Sequence, residues 1–179
     1  MGDPGRSRAI VSQTCTTKGF RKFFAVLLVP LDPVAEVFFG SERANLDAYR
    51  NALLGTDGSR CFYCEKKIAR ESHVDHFIPW ARYPNDLGHN LVLAHPGCNS
   101  RKSDHLAAEE HLCHWVERNE QHGEELSEAF RHASLAHDDA ASTRIARWAY
   151  GELEQVQGEV WVLAKETRRL SGRWRACFR

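Results

Sequence analysis

The sequence lacks the features that would assign it quickly to a class. It has no long apolar run: the longest, Phe23 to Val29 before Pro30, holds seven residues, whereas a bilayer crossing needs about 20. It has no excess of charge of one sign, because 24 basic and 24 acidic side chains cancel over 179 residues. The chain as a whole is therefore not a polycation shaped for nucleic acid. It has no internal repeat, no low-complexity tract and no convincing export signal. Arg21 and Lys22 precede the apolar run, but they lie deep in the chain and no small-residue cleavage site follows. With 42% hydrophobic residues, 27% charged residues and five Trp, a wholly disordered or collagen-like chain is excluded, and the composition fits one compact domain.

What the sequence does have is Cys and His, unevenly spread. Residues 61 to 114 hold four of the six Cys and seven of the ten His. Without an export signal the chain is expected in the cytoplasm, where thiols stay reduced and clustered Cys bind metal rather than each other.

Four segments follow along the chain. Residues 1–40 are an N-terminal segment to which no structure is assigned. Residues 41–60 form a leading helix, since Leu46, Tyr49, Arg50, Leu53 and Leu54 make one helical stripe that Gly55 ends. Residues 60–105 hold the Cys and His cluster. Residues 106–179 read as a helical C-terminal region of three amphipathic helices, on Ala108, Leu112, Trp115 and Val116, then Leu126, Ala129, Phe130 and Ala133, then Ile145, Trp148, Ala149, Leu153 and Val156. Ser142 or Thr143 is the expected N-cap of the third. Val160 to Leu163 is a short strand or a buried turn.

Cys61-Phe62-Tyr63-Cys64 is a C-x-x-C pair, and 30 residues later His95-Pro96-Gly97-Cys98 supplies an H-x-x-C pair. Two such pairs match a closed tetrahedral site. Zn²⁺ suits it, because the ion accepts thiolate and imidazole together and a two-residue spacer lets both ends of a tight turn face one ion. In small zinc modules the binding free energy, on the order of 10–16 kcal/mol, is folding free energy. The alternative is that His95 is an ordinary loop histidine above buried thiols. Between the pairs, His73 to Pro79 and Asn90 to Ala94 read as a hairpin around a loop, and a helix is expected to start after Cys98.

The run C-x-x-C, Asp75-His76-x-x-Pro79, Asn90-Leu91-Val92-Leu93, Cys98-Asn99-x-x-Lys102 resembles the HNH endonucleases, the ββα-metal or His-metal finger family, in their zinc-clamped branch. The resemblance covers about residues 60–105. It implies an α+β fold, with a small ββα-metal module around a structural zinc, flanked by α-helices that make up most of the chain. It implies His76 as general base, Asp75 and Asn99 as ligands of a catalytic Mg²⁺ or Mn²⁺, and Asn90 as a brace of the long loop. The sequence departs from the commonest pattern twice. His95 replaces the third zinc Cys, and Asn99 replaces the final His, making an H-N-N variant.

The chemistry suits those residue types. Phosphodiester hydrolysis needs an activated water, neutralised charge on the phosphorane and a stabilised leaving oxygen. A His, with an ordinary pKa of about 6.5, accepts a proton from water at neutral pH. Carboxylate and amide oxygens are hard ligands that favour Mg²⁺ over a second zinc. Adjacent strand residues face opposite ways, so Asp75 and His76 serve one cleft only if the strand bends or the site lies at its edge.

Charge is distributed as +4 over residues 1–30, −2 over 31–60, +1 over 61–104, −7 over 105–139 and +4 over 140–179. DNA is the expected partner, with RNA as the alternative, and contacts are assigned to the ends and to Arg70, Arg82, Arg101 and Lys102. Arg168, Arg169, Arg173 and Arg175 are further candidates against a frayed basic tail. No sequence-reading motif is present, so specificity is expected from a partner protein or another region. The oligomeric state is not fixed by sequence. The functional expectation is a metal-dependent endonuclease in a restriction, phage-defence or mobile-element setting. Its rival is a non-catalytic zinc-binding adaptor for nucleic acid or protein. His105, His111, Cys113 and His114 show no ligand spacing and read as a helix with exposed His, while Cys15, Cys113 and Cys177 have no assigned partner.

Overall fold

The computed structural model describes residues 46–56, 58–69 and 71–178. The N-terminal segment, Cys15 and Arg70 lie outside them. The expected leading helix is α1, Asp47–Thr56. It buries Tyr49 and Leu53, and Gly55 belongs to its last turn.

The central hairpin forms as the apolar runs require. Strand β1, His73–His76, pairs antiparallel with β2, Leu91–Ala94, in the register Val74 to Leu93 and Asp75 to Val92. All four β2 residues are buried. A 3₁₀ turn, Gly88–Asn90, leads into β2. Gly88 must lack a side chain, since a Cβ there would fall 2.5 Å from the Phe130 ring. Helix α2, Pro96–Lys102, starts earlier than expected, with Pro at its first position where no amide donor is needed. It stops at Ser103, whose φ of 51° breaks the helix.

Two helices, not three, follow. The first two stripes lie on one continuous helix, α3, Glu109–His132, and the third is α4, Asp139–Gln155. Leu112, Trp115, Val116, Leu126 and Phe130 are buried along one side of α3. The cap of α4 is Asp138, whose carboxylate accepts from the Ala141 amide at 2.8 Å, rather than Ser142 or Thr143. The acid wins because it sits at the position immediately before the helix, where its oxygen reaches a free amide.

The C-terminal region is not wholly helical. Val160 to Leu163 belongs to strand β3, Glu159–Leu163, which pairs with β4, Glu166–Arg169. A 3₁₀ segment, Gly172–Cys177, then packs on α3. Cys113 and Cys177 form a disulfide across 64 residues, which corrects the expectation of reduced, unpartnered thiols. Arg168 and Arg175 are engaged in ion pairs with Glu109 and Glu110 and with Glu154, so the basic end is folded down rather than frayed.

Glu109 fastens this end to the start of α3. Its carboxylate accepts from Arg168 at 2.7 Å and from the Ser171 amide and hydroxyl at 2.8 and 2.7 Å. Burial pushes the acid up, but the Arg168 guanidinium and the Ser171 donors overcome it and bring the pKa to about 2. A depressed carboxyl stabilises the fold above its unfolded pKa and loses that contribution as pH falls through the folded value. Glu109 is therefore expected to contribute about 2 kcal/mol at neutral pH. The contribution fades between about pH 4.5 and 2. Denaturant melts at pH 7 and pH 3 should show Glu109→Gln destabilised at both, with the deficit at pH 3 reduced to about half or less of that at pH 7. Equal loss at both would disprove the assignment.

Candidate active site and metal centre

The two half-sites of the Cys and His cluster meet as their spacing requires. Cys61, Cys64, His95 and Cys98 place one ligand atom each within 4.8 Å of one another. Cys64 Sγ lies 3.3 Å from His95 Nδ1, and the His95 amide donates to Cys61 Sγ at 3.4 Å. The other ring nitrogen, Nε2, donates to the Lys67 carbonyl at 3.3 Å. That bond fixes the tautomer leaving Nδ1 as the ligand, the usual supporting contact of a metal-bound imidazole. Among the described residues this is the one such group, so His105, His111, Cys113 and His114 form no second one. His111 instead turns inward to the Val162 carbonyl at 2.7 Å.

The electrostatics call for a cation. Burial pushes the Cys61 thiol up, but the backbone amides of His95, Cys64 and Tyr63 hold it below its ordinary value. Burial and the neighbouring Cys61 and Cys64 push Cys98 up to about 12. Three sulfurs in contact cannot all be thiolates without a metal between them, and the donor set fits Zn²⁺.

A second set of polar groups gathers where β1 ends and α2 runs past it. A cleft of about 520 Å³ is lined by Asp75, His76, Pro79, Trp80, Asn99 and Ser103 among others. His76 is the last residue of β1, and beyond it the chain leaves the strand. Asn90 holds that departure, its Oδ1 accepting from the Ile78 amide at 2.8 Å and its Nδ2 donating to the Ile78 carbonyl at 3.0 Å. Asp75 and His76 therefore reach one cleft because the site lies at the strand's edge.

Asp75, His76 and Asn99 all line this cleft, and each has one polar atom tied to a neighbouring side chain. His76 Nε2 donates to Asp86 Oδ1 at 2.6 Å, since a carboxylate only accepts, which leaves Nδ1 as the acceptor nitrogen. Asp75 Oδ2 receives the Tyr63 hydroxyl at 2.5 Å and the Lys102 ammonium at 2.9 Å. Burial and the Asp75 charge push Tyr63 well above its ordinary value, so it remains a donor. Asn99 lies inside α2 and is not its cap. Its Nδ2 contacts His73 Nδ1 at 3.4 Å, which leaves its carbonyl oxygen for the cleft. Asp75, Asn99 and the open cleft offer hard oxygen donors that fit Mg²⁺ or Mn²⁺.

The remaining basic residues and histidines of the module separate clearly. Arg101 is exposed on α2. Lys102, expected to reach phosphate, has no exposed side-chain surface and also donates to the His76 carbonyl at 2.8 Å. His89 is fully buried against Gly123 and Ser127, which makes it a core residue. Sequence reasoning missed Asp86 and Tyr63. Asp86 carries no motif, whereas Tyr63 stood between two assigned zinc ligands.

A metal-ligand knuckle, an antiparallel hairpin ending in Asp-His and a short helix carrying Cys98 and Asn99 thus come together within residues 61–102, an arrangement similar to that of the HNH endonucleases. Residues 61–105 match the HNH endonuclease family model. Over 64 residues the chain is 36% identical to Septu protein PtuB of Bacillus thuringiensis, a match covering 33% of this chain and 25% of that protein. The chain thus matches about a quarter of that relative's length. No solved structure gives a significant match. No helix among the described residues is long and apolar enough to cross a membrane.

Zinc binding must displace the Cys98 proton, so affinity should rise with pH, about tenfold per unit for each proton released. Competition titrations between pH 6 and 8 test this. A flat profile, or well under one zinc per chain in purified protein, would refute the assignment.

Proposed function

We propose that the protein is a metal-dependent HNH endonuclease that hydrolyses phosphodiester bonds in DNA. The observation that supports this best is the paired arrangement in the cleft. Asp75 and His76 each offer one free atom while buried partners tie the other.

In this reading Asp75 and Asn99 hold Mg²⁺ or Mn²⁺, which when bound neutralises charge on the scissile phosphate and the departing oxygen. His76 Nδ1 takes one proton from a water as its oxygen bonds to phosphorus. The bond from phosphorus to the 3′ oxygen breaks, and that oxygen acquires a proton from solvent. Asp86 fixes the His76 tautomer and favours the imidazolium that forms. Asn90 braces the loop by holding Ile78 at both its amide and its carbonyl. Arg101 remains as the phosphate contact on α2, whereas the buried Lys102 serves the interior. A partner protein supplies sequence choice. The setting is restriction, phage defence or a mobile element, and the Septu relative favours defence.

Plasmid incubated with Mg²⁺ or Mn²⁺ tests the reading. His76→Ala should cut about 100-fold more slowly or worse, and Asp86→Asn should lose activity to a smaller extent at unchanged zinc content. Equal cutting by His76→Ala and wild type would end the catalytic assignment. Wild-type inactivity on DNA and RNA with every metal would favour the adaptor.

A further inference from the structure

Each half of the Cys₃His cluster reaches Asp75 by its own route. Tyr63 stands between Cys61 and Cys64, and its hydroxyl donates to Asp75 Oδ2 at 2.5 Å. Lys102 ends the helix that begins beside His95 and carries Cys98, and its Nζ meets the same oxygen at 2.9 Å. One carboxylate oxygen is thus gripped from both sides of the metal cluster. The grip is rigid. The Tyr63 ring is fixed by edge contacts to Phe62, Trp161 and His111 at centroid distances of 5.3, 5.2 and 5.4 Å. Lys102 is tied a second time through the His76 carbonyl at 2.8 Å. A carboxylate held in this way cannot rotate without breaking two charge-assisted bonds, so Oδ1 stays presented to the cleft.

We propose that Tyr63 and Lys102 are positioning residues that couple the Cys₃His centre to Asp75, so that the assembled cluster sets the affinity of the cleft for its divalent cation. The proposal rests on the reading of Asp75 as a metal ligand. If the half-sites separate, both arms withdraw from Oδ2 and the ligand loses its orientation. Residues that orient a metal ligand typically change affinity by about 10- to 100-fold when removed.

The test titrates full-length, zinc-loaded protein with Mn²⁺, following the free ion by electron paramagnetic resonance, for wild type, Tyr63→Phe and Asp75→Ala. Phe keeps the ring and its packing and removes only the hydroxyl. Tyr63→Phe should bind Mn²⁺ about tenfold more weakly or worse at unchanged zinc content. Tyr63→Phe binding within about twofold of wild type, while Asp75→Ala abolishes binding, would overturn the coupling and leave the ligand reading intact. Mn²⁺ binding that survives Asp75→Ala would overturn both. Loss of zinc from Tyr63→Phe would place the hydroxyl in the cluster's own stability and would also overturn the coupling.

Discussion

The rest of the domain is arranged around one interior ion pair. Lys102 keeps no side-chain surface in water, and an ammonium in that position is costly, by several kcal/mol, unless an anion accompanies it. Asp75 is that anion, and the His76 carbonyl supplies a second acceptor. The pair joins the edge of β1 to the end of α2. It thereby fixes where the strand stops and how far the helix runs. It also divides the labour within one carboxylate, with one oxygen committed to the interior and the other facing the cleft. Removing one member of such a pair leaves a bare charge and typically costs about 3–5 kcal/mol.

The cluster and the hairpin were legible in the sequence because both are set by short-range rules. Two-residue spacers dictate tight ligand turns, and the β-branched runs beside Asp75 and Asn90 dictate strands. Long-range partners were not legible. Asp86 reaches His76 from an irregular loop with no periodicity, and Cys113 meets Cys177 from 64 residues away. Lys102 was misjudged for a different reason. Its neighbours in the chain are polar and do not mark it as inward, yet on α2 it turns to Asp75 and the His76 carbonyl while Arg101 stays exposed. α3 reads as two stripes, but Gly123 between them is buried beside Asp139, and the helix runs through it. β4 escaped notice because all four of its residues are exposed and none alternates.

α3 takes part in the site although it contributes no residue to the cleft. Its Trp115, Arg118 and Asn119 side chains all donate to the carbonyl of His89, and Arg118 also reaches that of Leu91. These contacts surround Asn90, so the loop brace is itself held from behind. The Phe77 ring stacks on Trp115 at 5.0 Å, just past the Asp-His pair.

Phe130 closes on Gly88 from the same helix, near its far end. The stretch recognisable by family stops at residue 105, yet the contacts that back its loop come from residues 115 to 130. The unit of recognition is therefore smaller than the unit of folding. A fragment trimmed to the matched boundaries would lose the wall against which its own loop is cast, and any graft of this domain onto another scaffold must carry α3 with it.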